Sequence, residues 1–349
     1  MKQSKWMQLP RSVVIGHNVL SEVANVCKEL KLSGSAVVVS GPTTRYCAGE
    51  NIVEILSDEG YEVQISEVRS TNDYDIEEIV DAVEESQARF MIGVGGGKAI
   101  DVSKYVSFNF DIPFLSVPTA AAHDGIVSFS ASIIRDGEKA SIPAHAPLGI
   151  IADTSVISSA PKRLMAAGCG DIISNYTAVK DWELATRLRN EVYSEYAAAL
   201  SEMTAKIILD KAEVMKPGLE EAVRTVVKAL VSSGVAMSIA GSSRPGSGSE
   251  HKFSHALDII VDKPALHGEQ CGVGSIMMMY LHGGDWKAIR DSLRLLGAPI
   301  NAKELGIREE FIIEALVHAH EIKEERYTIL GPGLTESAAE KLAVATGVI

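Results

Sequence analysis

Two histidines in the segment GSEHKFSHALD have a spacing that suits a metal site. His251 and His255 stand four positions apart, which places them on one face of a helix. A third histidine, His267, follows in LHGEQCGVG, and AAGCGDIISN contributes Asp171. Two imidazoles with one carboxylate leave coordination positions open, as a catalytic divalent metal requires. Such a metal can polarise a carbonyl group and stabilise an alkoxide.

Each of these residues also has a purely structural interpretation. A helical histidine commonly bonds to a neighbour on the surface or in the core, and Asp171 could cap the start of a helix after two glycines. His255 could orient a ligand of the metal without touching substrate. Cys169 and Cys271 lie near the candidate ligands, and we interpret them as buried packing residues.

A glycine-rich turn is the second feature with possible chemistry. GVGGGKAID (Gly93–Asp101) has the pattern of a strand, three glycines and a helix. Glycines let backbone N–H groups approach a pyrophosphate, and a helix N-terminus adds positive potential. The segment matches neither GxGxxG nor GxxxxGK[ST]. A tight turn without any ligand is therefore the open alternative.

An alternating pattern of secondary structure would position these residues. Over the first 150 or so residues, β-branched runs alternate with amphipathic stretches, which is typical of a parallel sheet with crossover helices. Four strands are predicted at Ser35–Ser40, Tyr61–Val68, Phe90–Val94 and Pro113–Thr119. Helices are predicted at Cys47–Ser57, Asp75–Ser86 and Ala99–Ser107. Val127–Ile142 alternates around an Asp-Gly turn and indicates a hairpin.

The pattern becomes mostly helical near Ala160-Pro161. Predicted helices cover Lys162–Ala167, Ile172–Leu188, Glu191–Lys211 and Gly218–Ser232. We therefore predict an α/β nucleotide-binding domain over residues 1–160 and a helical metal- and substrate-binding domain over residues 161–349. In the loop GSSRPGSGS, Arg244 is a candidate hydrogen-bond donor to a phosphate group. The alternative is that this loop is a solvated linker.

Composition excludes several classes of function. The net charge of −13 and the lack of a basic run argue against nucleic-acid binding. No apolar run approaches the ~20 residues of a membrane-spanning helix, and MKQSKWMQLPRSVVIG does not resemble a secretory signal. Four widely spaced cysteines indicate free thiols in a reducing compartment. We expect a cytoplasmic protein with no integral membrane segment.

Four segments in one order carry a family resemblance: GVGGGKAIDVSKY, SVPTAAAHDGIVSFSASI, GCGDIISNYTAVKDW and SGSEHKFSHALD. The chain resembles the sn-glycerol-1-phosphate dehydrogenases, which lie within the iron-containing (group III) alcohol dehydrogenase superfamily with glycerol dehydrogenase and dehydroquinate synthase. The resemblance spans nearly the whole chain. It implies a Rossmann-like α/β N-terminal domain with a parallel sheet, an all-helical C-terminal domain, and an active site in the interdomain cleft.

The resemblance also implies roles for individual residues. Asp171, His251 and His267 resemble the metal ligands, usually of Zn²⁺. Asp124 and His255 resemble substrate-binding positions, and Asp171 could touch the substrate as well; Asp171 and His255 are the catalytic candidates. The implied cofactor contacts are Gly95, Gly96, Gly97, Lys98, Asp101, Ser116, Thr119 and Ser128.

The implied reaction is reduction of dihydroxyacetone phosphate to sn-glycerol 1-phosphate with NADH or NADPH, which supplies the backbone of archaeal ether lipids. Residues 40–45 (SGPTTR) contain no acidic group to demand an unphosphorylated ribose, so use of NAD and NADP is expected. A glycerol dehydrogenase-like polyol oxidoreductase is the alternative, and a synthase would need a more basic pocket. A non-enzymatic relative would be expected to lack a metal ligand. We expect a homo-oligomer, the common state of soluble enzymes.

Overall fold

The computed structural model describes residues 7–135, 137–216 and 218–349. Residues 1–6 of the N-terminal stretch and Asp136 of the predicted Asp-Gly turn lie outside the described residues. The chain divides into two compact units. The first contains the described residues up to Pro161 together with Gly218–Ser238, and the second contains residues 162–216 and Ile239–Ile349. The return of 218–238 to the first unit differs from the single division predicted near residue 160.

The first unit is built on a six-stranded parallel sheet with the order β1-β8-β5-β4-β2-β3. A separate antiparallel hairpin joins β6 and β7, as the alternation around Gly137 predicts. The strands are β1 (Ser12–Gly16), β2 (Ser35–Ser40), β3 (Glu62–Glu67), β4 (Phe90–Gly95), β5 (Phe114–Pro118), β6 (Ser130–Arg135), β7 (Glu138–Pro143) and β8 (Gly149–Asp153).

Helices make up most of the remaining structure. They are α1 (Val23–Glu29), α2 (Pro42–Thr44), α3 (Glu50–Asp58), α4 (Asp73–Ser86), α5 (Gly97–Asn109), α6 (Thr154–Ser159), α7 (Lys162–Arg189), α8 (Glu195–Lys211), α9 (Glu220–Ala240), α10 (Ser249–Ile260), α11 (His267–Leu281), α12 (Trp286–Leu295), α13 (Ala302–Leu305), α14 (Glu309–His318) and α15 (Glu336–Thr346). The predicted combination of a parallel-sheet α/β part and an all-helical part is confirmed.

Helices cover both faces of the sheet. Ile52 and Leu56 of α3 pack with α1 in one hydrophobic cluster. Val102 and Val106 of α5 pack with α4 in the other. Helix α3, in the connection from β2 to β3, and helix α5, in the connection from β4 to β5, therefore lie on opposite faces. Because β2 and β4 are neighbours in the sheet, their carboxyl ends form a topological switch point, where parallel sheets bind ligands.

Helix α9 is the one described helix that is long and apolar enough to cross a membrane by length and composition. However, 61% of its most apolar window is buried inside the protein. A Cβ on its Gly234 would lie 2.5 Å from Cβ of Val127, so α9 packs closely on the chain of the first unit. It is the core helix of that unit.

The second unit is helical, and α7 is its longest helix. The sequence predicted two helices here with Asp171 at the start of the second, but α7 runs unbroken through Gly168 and Gly170. The prediction that Asp171 could act as a helix cap is therefore wrong. The glycines do not end the helix, and Gly170 packs directly on α11, where a Cβ would lie 2.2 Å from Gly268 O.

The loop GSSRPGSGS is not a solvated linker. Arg244 is 3% exposed, and its guanidinium binds both carboxylate oxygens of Glu191 and the carbonyl of Tyr327. The guanidinium of Arg326 in turn donates to Ser247 O and to the Ser243 hydroxyl. Since these contacts occupy its guanidinium, Arg244 is a structural residue, and the structure does not support the predicted phosphate contact.

Candidate functional site

Close backbone contact between α7 and α11 brings the metal-ligand candidates together. A Cβ on Gly170 would lie 2.2 Å from Gly268 O, and a Cβ on Gly268 would lie 2.0 Å from Ala167 O. No residue with a side chain fits at either position without moving a helix. Each glycine adjoins a candidate ligand, Asp171 on α7 and His267 on α11.

Asp171, His251 and His267 converge within the second unit. Oδ1 of Asp171 lies 3.8 Å from Nε2 of His251 and 3.7 Å from Nε2 of His267. These distances exceed a hydrogen bond. They are slightly longer than the roughly 3.4 Å edge of a tetrahedron around a zinc ion with bonds of about 2.1 Å. Two imidazole nitrogens and a carboxylate oxygen at this spacing fit a divalent cation.

A buried carboxylate orients His251. Nδ1 of His251 lies 2.9 Å from Oε1 of Glu250, which is fully buried. Glu250 also accepts hydrogen bonds from Gly248 N and the Thr177 hydroxyl. An ionised carboxylate can only accept hydrogen bonds, so the proton on His251 resides at Nδ1. In the neutral form of the ring, the lone pair of Nε2 therefore faces Asp171.

The same carboxylate affects the charge of the His251 ring. Burial lowers the pKa of His251, but neighbouring Cys271 and Glu250 outweigh burial and raise it well above its ordinary value. Burial in turn raises the pKa of the Cys271 thiol to about 11. Because that thiol is neutral at pH 7, we attribute the effect on His251 to Glu250. A cation would have to displace a proton from this ring.

His255 lies one helical turn after His251 on α10. Its ring centroid lies 6.4 Å from that of His251 and 5.7 Å from that of His267. It is absent from the group of donor atoms that lie within 4.8 Å of one another. The structure therefore places His255 beside the candidate metal centre.

Cys271 joins that group of donor atoms. Its Sγ lies 3.6 Å from Nε2 and 3.9 Å from Nδ1 of His267. Similar distances to the two nitrogens place the sulfur against the side of the ring, away from the axis of the Nε2 lone pair. Cys169 is also fully buried, and burial raises its pKa to about 12. Both positions suit the predicted packing role.

The glycine turn lies at the switch point in the first unit. The Thr44 hydroxyl, from the loop after β2, donates to Val94 O at 3.0 Å. Gly96 precedes α5 in extended conformation. A Cβ on Gly96 would meet no atom of the described residues within 4 Å, whereas one on Gly95 would meet Thr44 at 3.0 Å. Open space thus adjoins the backbone where a pyrophosphate is expected to bind.

The ring of His123 packs between two glycines. A Cβ on Gly97 would lie 2.4 Å from its Nε2, and a Cβ on Gly125 would lie 2.5 Å from the ring. Nδ1 of His123 accepts a hydrogen bond from Gly125 N at 3.0 Å. Burial lowers the pKa of His123, so the ring is neutral. It fixes the loop after β5 against the first turn of α5.

Two charged residues of α5 have partners in the first unit. Lys98 is exposed and its ammonium group donates to Arg69 O at 3.0 Å. Asp101 pairs with fully buried Lys104 at 3.2 Å. Lys104 also donates to Gly125 O and Ser130 O. The pair therefore fixes the loop that carries Asp124 and Ser128.

The remaining sequence candidates lie on or after β5. Ser116 is fully buried within the sheet, and its hydroxyl has no hydrogen-bond partner among the described residues. Thr119 N donates to Gly95 O at 3.0 Å, which places it beside the glycine turn. The Ser128 hydroxyl donates to Ser130 O at 3.3 Å. Oδ2 of Asp124 accepts a hydrogen bond from Ser233 at 2.9 Å.

Sequence reasoning missed the residues that support these groups. Glu250 directly precedes a candidate ligand, and that adjacency was an available signal. Lys104 looked like an ordinary helical lysine, since burial is a property of the fold. The partners of His267 lie on two different helices, and no short motif relates them.

Comparison with known proteins agrees with these features. Residues 14–161 match the family model of iron-containing alcohol dehydrogenase. The chain is 58% identical over 346 residues to the glycerol-1-phosphate dehydrogenase [NAD(P)+] of Methanosarcina acetivorans, covering 99% of this chain and 97% of the relative. It is 60% identical over 348 residues to that of Methanococcoides burtonii, covering 99% and 97%.

Solved structures show the same fold at lower identity. The crystal structure of glycerol dehydrogenase from Schizosaccharomyces pombe matches with a TM-score of 0.82 at 22% identity, covering 99% of this chain and 91% of that one. The full-length identity to the two archaeal relatives confirms the family predicted from the four motifs. The chain belongs to the glycerol-1-phosphate dehydrogenase family of the iron-containing alcohol dehydrogenases.

Proposed function

We propose that this chain catalyses the reversible reduction of dihydroxyacetone phosphate to sn-glycerol 1-phosphate with NADH or NADPH. The observation that carries the proposal is the convergence of Asp171, His251 and His267 in a chain 58% identical to a relative of that name. A ketone reduction needs a hydride donor, stabilisation of charge on the carbonyl oxygen, and a proton.

The metal centre would supply the charge stabilisation. Asp171, His251 and His267 would hold the cation, which we propose to be Zn²⁺ because zinc favours this set of nitrogen and oxygen donors. When bound, the cation supplies Lewis acidity toward a carbonyl oxygen. Once the ion has displaced one proton from His251, Glu250 would hold the remaining proton on Nδ1, which leaves Nε2 to bind the ion.

His255 and Asp124 are the residues that we assign to the substrate. His255 lies next to the metal ligands, and an imidazole has a nitrogen that can donate a hydrogen bond and one that can accept it. It would bind a substrate hydroxyl or pass on the proton. The Asp124 carboxylate, held by Ser233, would accept a hydrogen bond from a second hydroxyl. Asp171 would contact the substrate as well as the metal.

The first unit would bind the cofactor. We propose that the backbone of Gly95, Gly96 and Gly97 binds the pyrophosphate at the start of α5, with Lys98 supplying charge nearby. Thr119 and Ser128 would make further contacts from the adjacent loop. Ser116, within β5, and Asp101, through its ion pair with Lys104, would support the loops that contact the cofactor. Nicotinamide, when bound, supplies the hydride.

Both cofactors fit the loop after β2. The guanidinium of Arg45 is partly exposed and pairs with Glu50 at 3.1 Å. Because exposed ion pairs are weak, the 2′-phosphate of NADPH can compete with Glu50 for Arg45. NADH, which has no 2′-phosphate, can bind without this contact.

Compartment and assembly complete the proposal. Three of the four free cysteines are buried, and Cys47 is exposed; an exposed thiol suits the reducing cytoplasm. We propose a cytoplasmic homo-oligomer whose product serves lipid synthesis.

Oxidation of NADH or NADPH by the purified, zinc-loaded protein tests the function. Dihydroxyacetone phosphate should be reduced, and chiral analysis should identify sn-glycerol 1-phosphate. Dihydroxyacetone serves as the matched substrate without phosphate. Faster turnover of dihydroxyacetone than of its phosphate would favour a glycerol dehydrogenase-like enzyme and refute the proposal.

A further inference from the structure

His267 has a different support from His251. Its Nδ1 lies 3.1 Å from the Ser254 hydroxyl, and that hydroxyl lies 2.7 Å from Oε1 of Gln270. Nε2 of Gln270 donates to Asp258 Oδ1 at 3.3 Å and to Ala265 O at 3.2 Å. Ser254 and Gln270 are both fully buried. We call this chain of hydrogen bonds, from Asp258 and Ala265 through Gln270 and Ser254, the His267 relay.

The relay decides which nitrogen of His267 carries the proton. A serine hydroxyl has one proton to donate, and Ser254 donates it to Gln270. Ser254 can then only accept from Nδ1 of His267. Nδ1 must therefore be protonated in the neutral ring, which leaves the Nε2 lone pair facing Asp171.

The orientation of the Gln270 amide determines which nitrogen of His267 is protonated. A flipped amide would present an N–H to Ser254, whose own proton would then be available to Nδ1 of His267. The proton of His267 would move to Nε2 and block the metal position. The flip would also place the amide oxygen against Asp258 Oδ1 and Ala265 O, two acceptors that would repel it.

We propose that Gln270 is a positioning residue for the metal centre, which acts through Ser254 to hold His267 in the metal-binding tautomer. This proposal rests on the proposed metal site. It concerns the proton position in the metal-free protein as well, so it can be tested separately. The Glu250 carboxylate does the same for His251 by charge, whereas His267 depends on a neutral relay.

Two substitutions at Gln270 have opposite expected effects under the relay and under simple packing. Gln270→Met keeps the volume but removes the acceptor, so Ser254 becomes free to donate to Nδ1. The zinc dissociation constant should rise about 10- to 100-fold. Gln270→Glu retains an acceptor oxygen for Ser254, and its other oxygen can share a proton with the Asp258 carboxylate in place of the amide N–H. This variant should bind zinc within a few-fold of the unmodified protein. If Gln270 only fills space, Gln270→Met should weaken zinc binding less than Gln270→Glu does, because Gln270→Glu places a second carboxyl group beside Asp258.

The experiment measures zinc affinity by competition with a chelator and the His267 tautomer by NMR of ¹⁵N-histidine-labelled, metal-free protein. Mildly alkaline pH keeps a free imidazole neutral. The unmodified protein should show Nδ1 protonated, and Gln270→Met should shift the proton to Nε2. Ser254→Ala, which removes the acceptor, should weaken zinc binding similarly and leave a mixture of tautomers. Ser254→Ala keeps the relay testable if Gln270→Met does not fold.

Ser201→Ala is the matched control. Ser201 is fully buried in the same unit, and its hydroxyl donates to Pro245 O at 2.6 Å; its loss should change neither readout. An unchanged tautomer and zinc affinity in both Gln270→Met and Ser254→Ala would overturn the relay. So would a Gln270→Glu protein that loses zinc as readily as Gln270→Met. Failure of the unmodified protein to bind zinc would instead refute the proposed metal function, while the tautomer would still test the relay.

Discussion

Replacing Gly268 by alanine should open the metal centre without altering any ligand. The new methyl carbon would lie 2.0 Å from Ala167 O, and the obstacle is backbone, which cannot rotate away. A carbon and a carbonyl oxygen approach to about 3.3 Å. Helix α11 must therefore move roughly 1.3 Å from α7 at this point.

The size of that shift sets the expected loss. His267 adjoins Gly268, so its Nε2 would move from 3.7 Å to as much as about 5 Å from Oδ1 of Asp171, well beyond the roughly 3.4 Å edge that zinc spans. We expect the zinc dissociation constant to rise at least about 100-fold, since the change removes a ligand and not merely its support. The free energy of unfolding should fall by about 1–3 kcal/mol, the usual cost of overpacking.

Gly272→Ala is the control on the same helix. Its Cβ would meet Leu293 Cδ2 at 3.2 Å and Gly170 Cα at 3.3 Å, and the leucine side chain can adjust by a few tenths of an ångström. Zinc affinity should stay within a few-fold of the unmodified value. The assays are chelator competition and thermal unfolding with and without zinc. Equal zinc affinity for the Gly268 and Gly272 variants would refute the claim that backbone contact positions the ligands.

Three further predictions concern the metal, the cofactor and pH. A strong chelator should abolish activity, and added zinc should restore it. His251→Ala should lose the metal, whereas His255→Ala should keep the metal and lose on the order of 10²-fold in kcat/KM. Metal analysis that shows the reverse would exchange the roles of the two histidines. Gly96→Val should raise the dissociation constant of NADH at least about tenfold with little change in Tm, because its Cβ meets no protein atom within 4 Å; unchanged affinity would make the turn purely structural. Burial and neighbouring cations lower the pKa of Lys252 to about 8. Because the folded protein therefore loses this proton at a lower pH than the unfolded chain does, the free energy of unfolding should increase between about pH 8 and pH 10.4. Lys252→Met should remove that rise, and an unchanged pH profile of unfolding would contradict the assignment.

The sequence predicted the sheet well where strands are continuous apolar runs. Residues 35–40 form β2 as predicted, and β4 covers residues 90–95 where 90–94 were predicted. Strand β8 was missed, because the five residues Gly149–Asp153 show no alternation and a short apolar run does not distinguish a strand from a buried helix. The place of residues 218–238 in the first unit was also missed, since helical periodicity does not say which core a helix joins.

The candidate ligands Asp171, His251 and His267 could be predicted because the motifs around them resemble those of a known family. Helical spacing by itself relates His251 only to His255, which lies outside the group of donor atoms. Their support could not be predicted in the same way. Gln270 acts on His267 through a hydroxyl from another helix, and the direction of that effect depends on the orientation of one amide. Composition and spacing contain no information on such orientation.

Glycine was interpreted as a helix breaker in α7, and this error identifies what determines the geometry of the metal centre. Ligand side chains can rotate, so their spacing alone would leave the donor atoms free over several ångströms. Gly170 and Gly268 meet the opposite helix through backbone atoms at positions that any Cβ would block. Each adjoins a ligand, so the separation of the two helices, and with it the distance from Asp171 to His267, is determined by residues that have no side chain. The precision of the centre therefore comes from the contact between α7 and α11, and the ligand residues supply its chemistry.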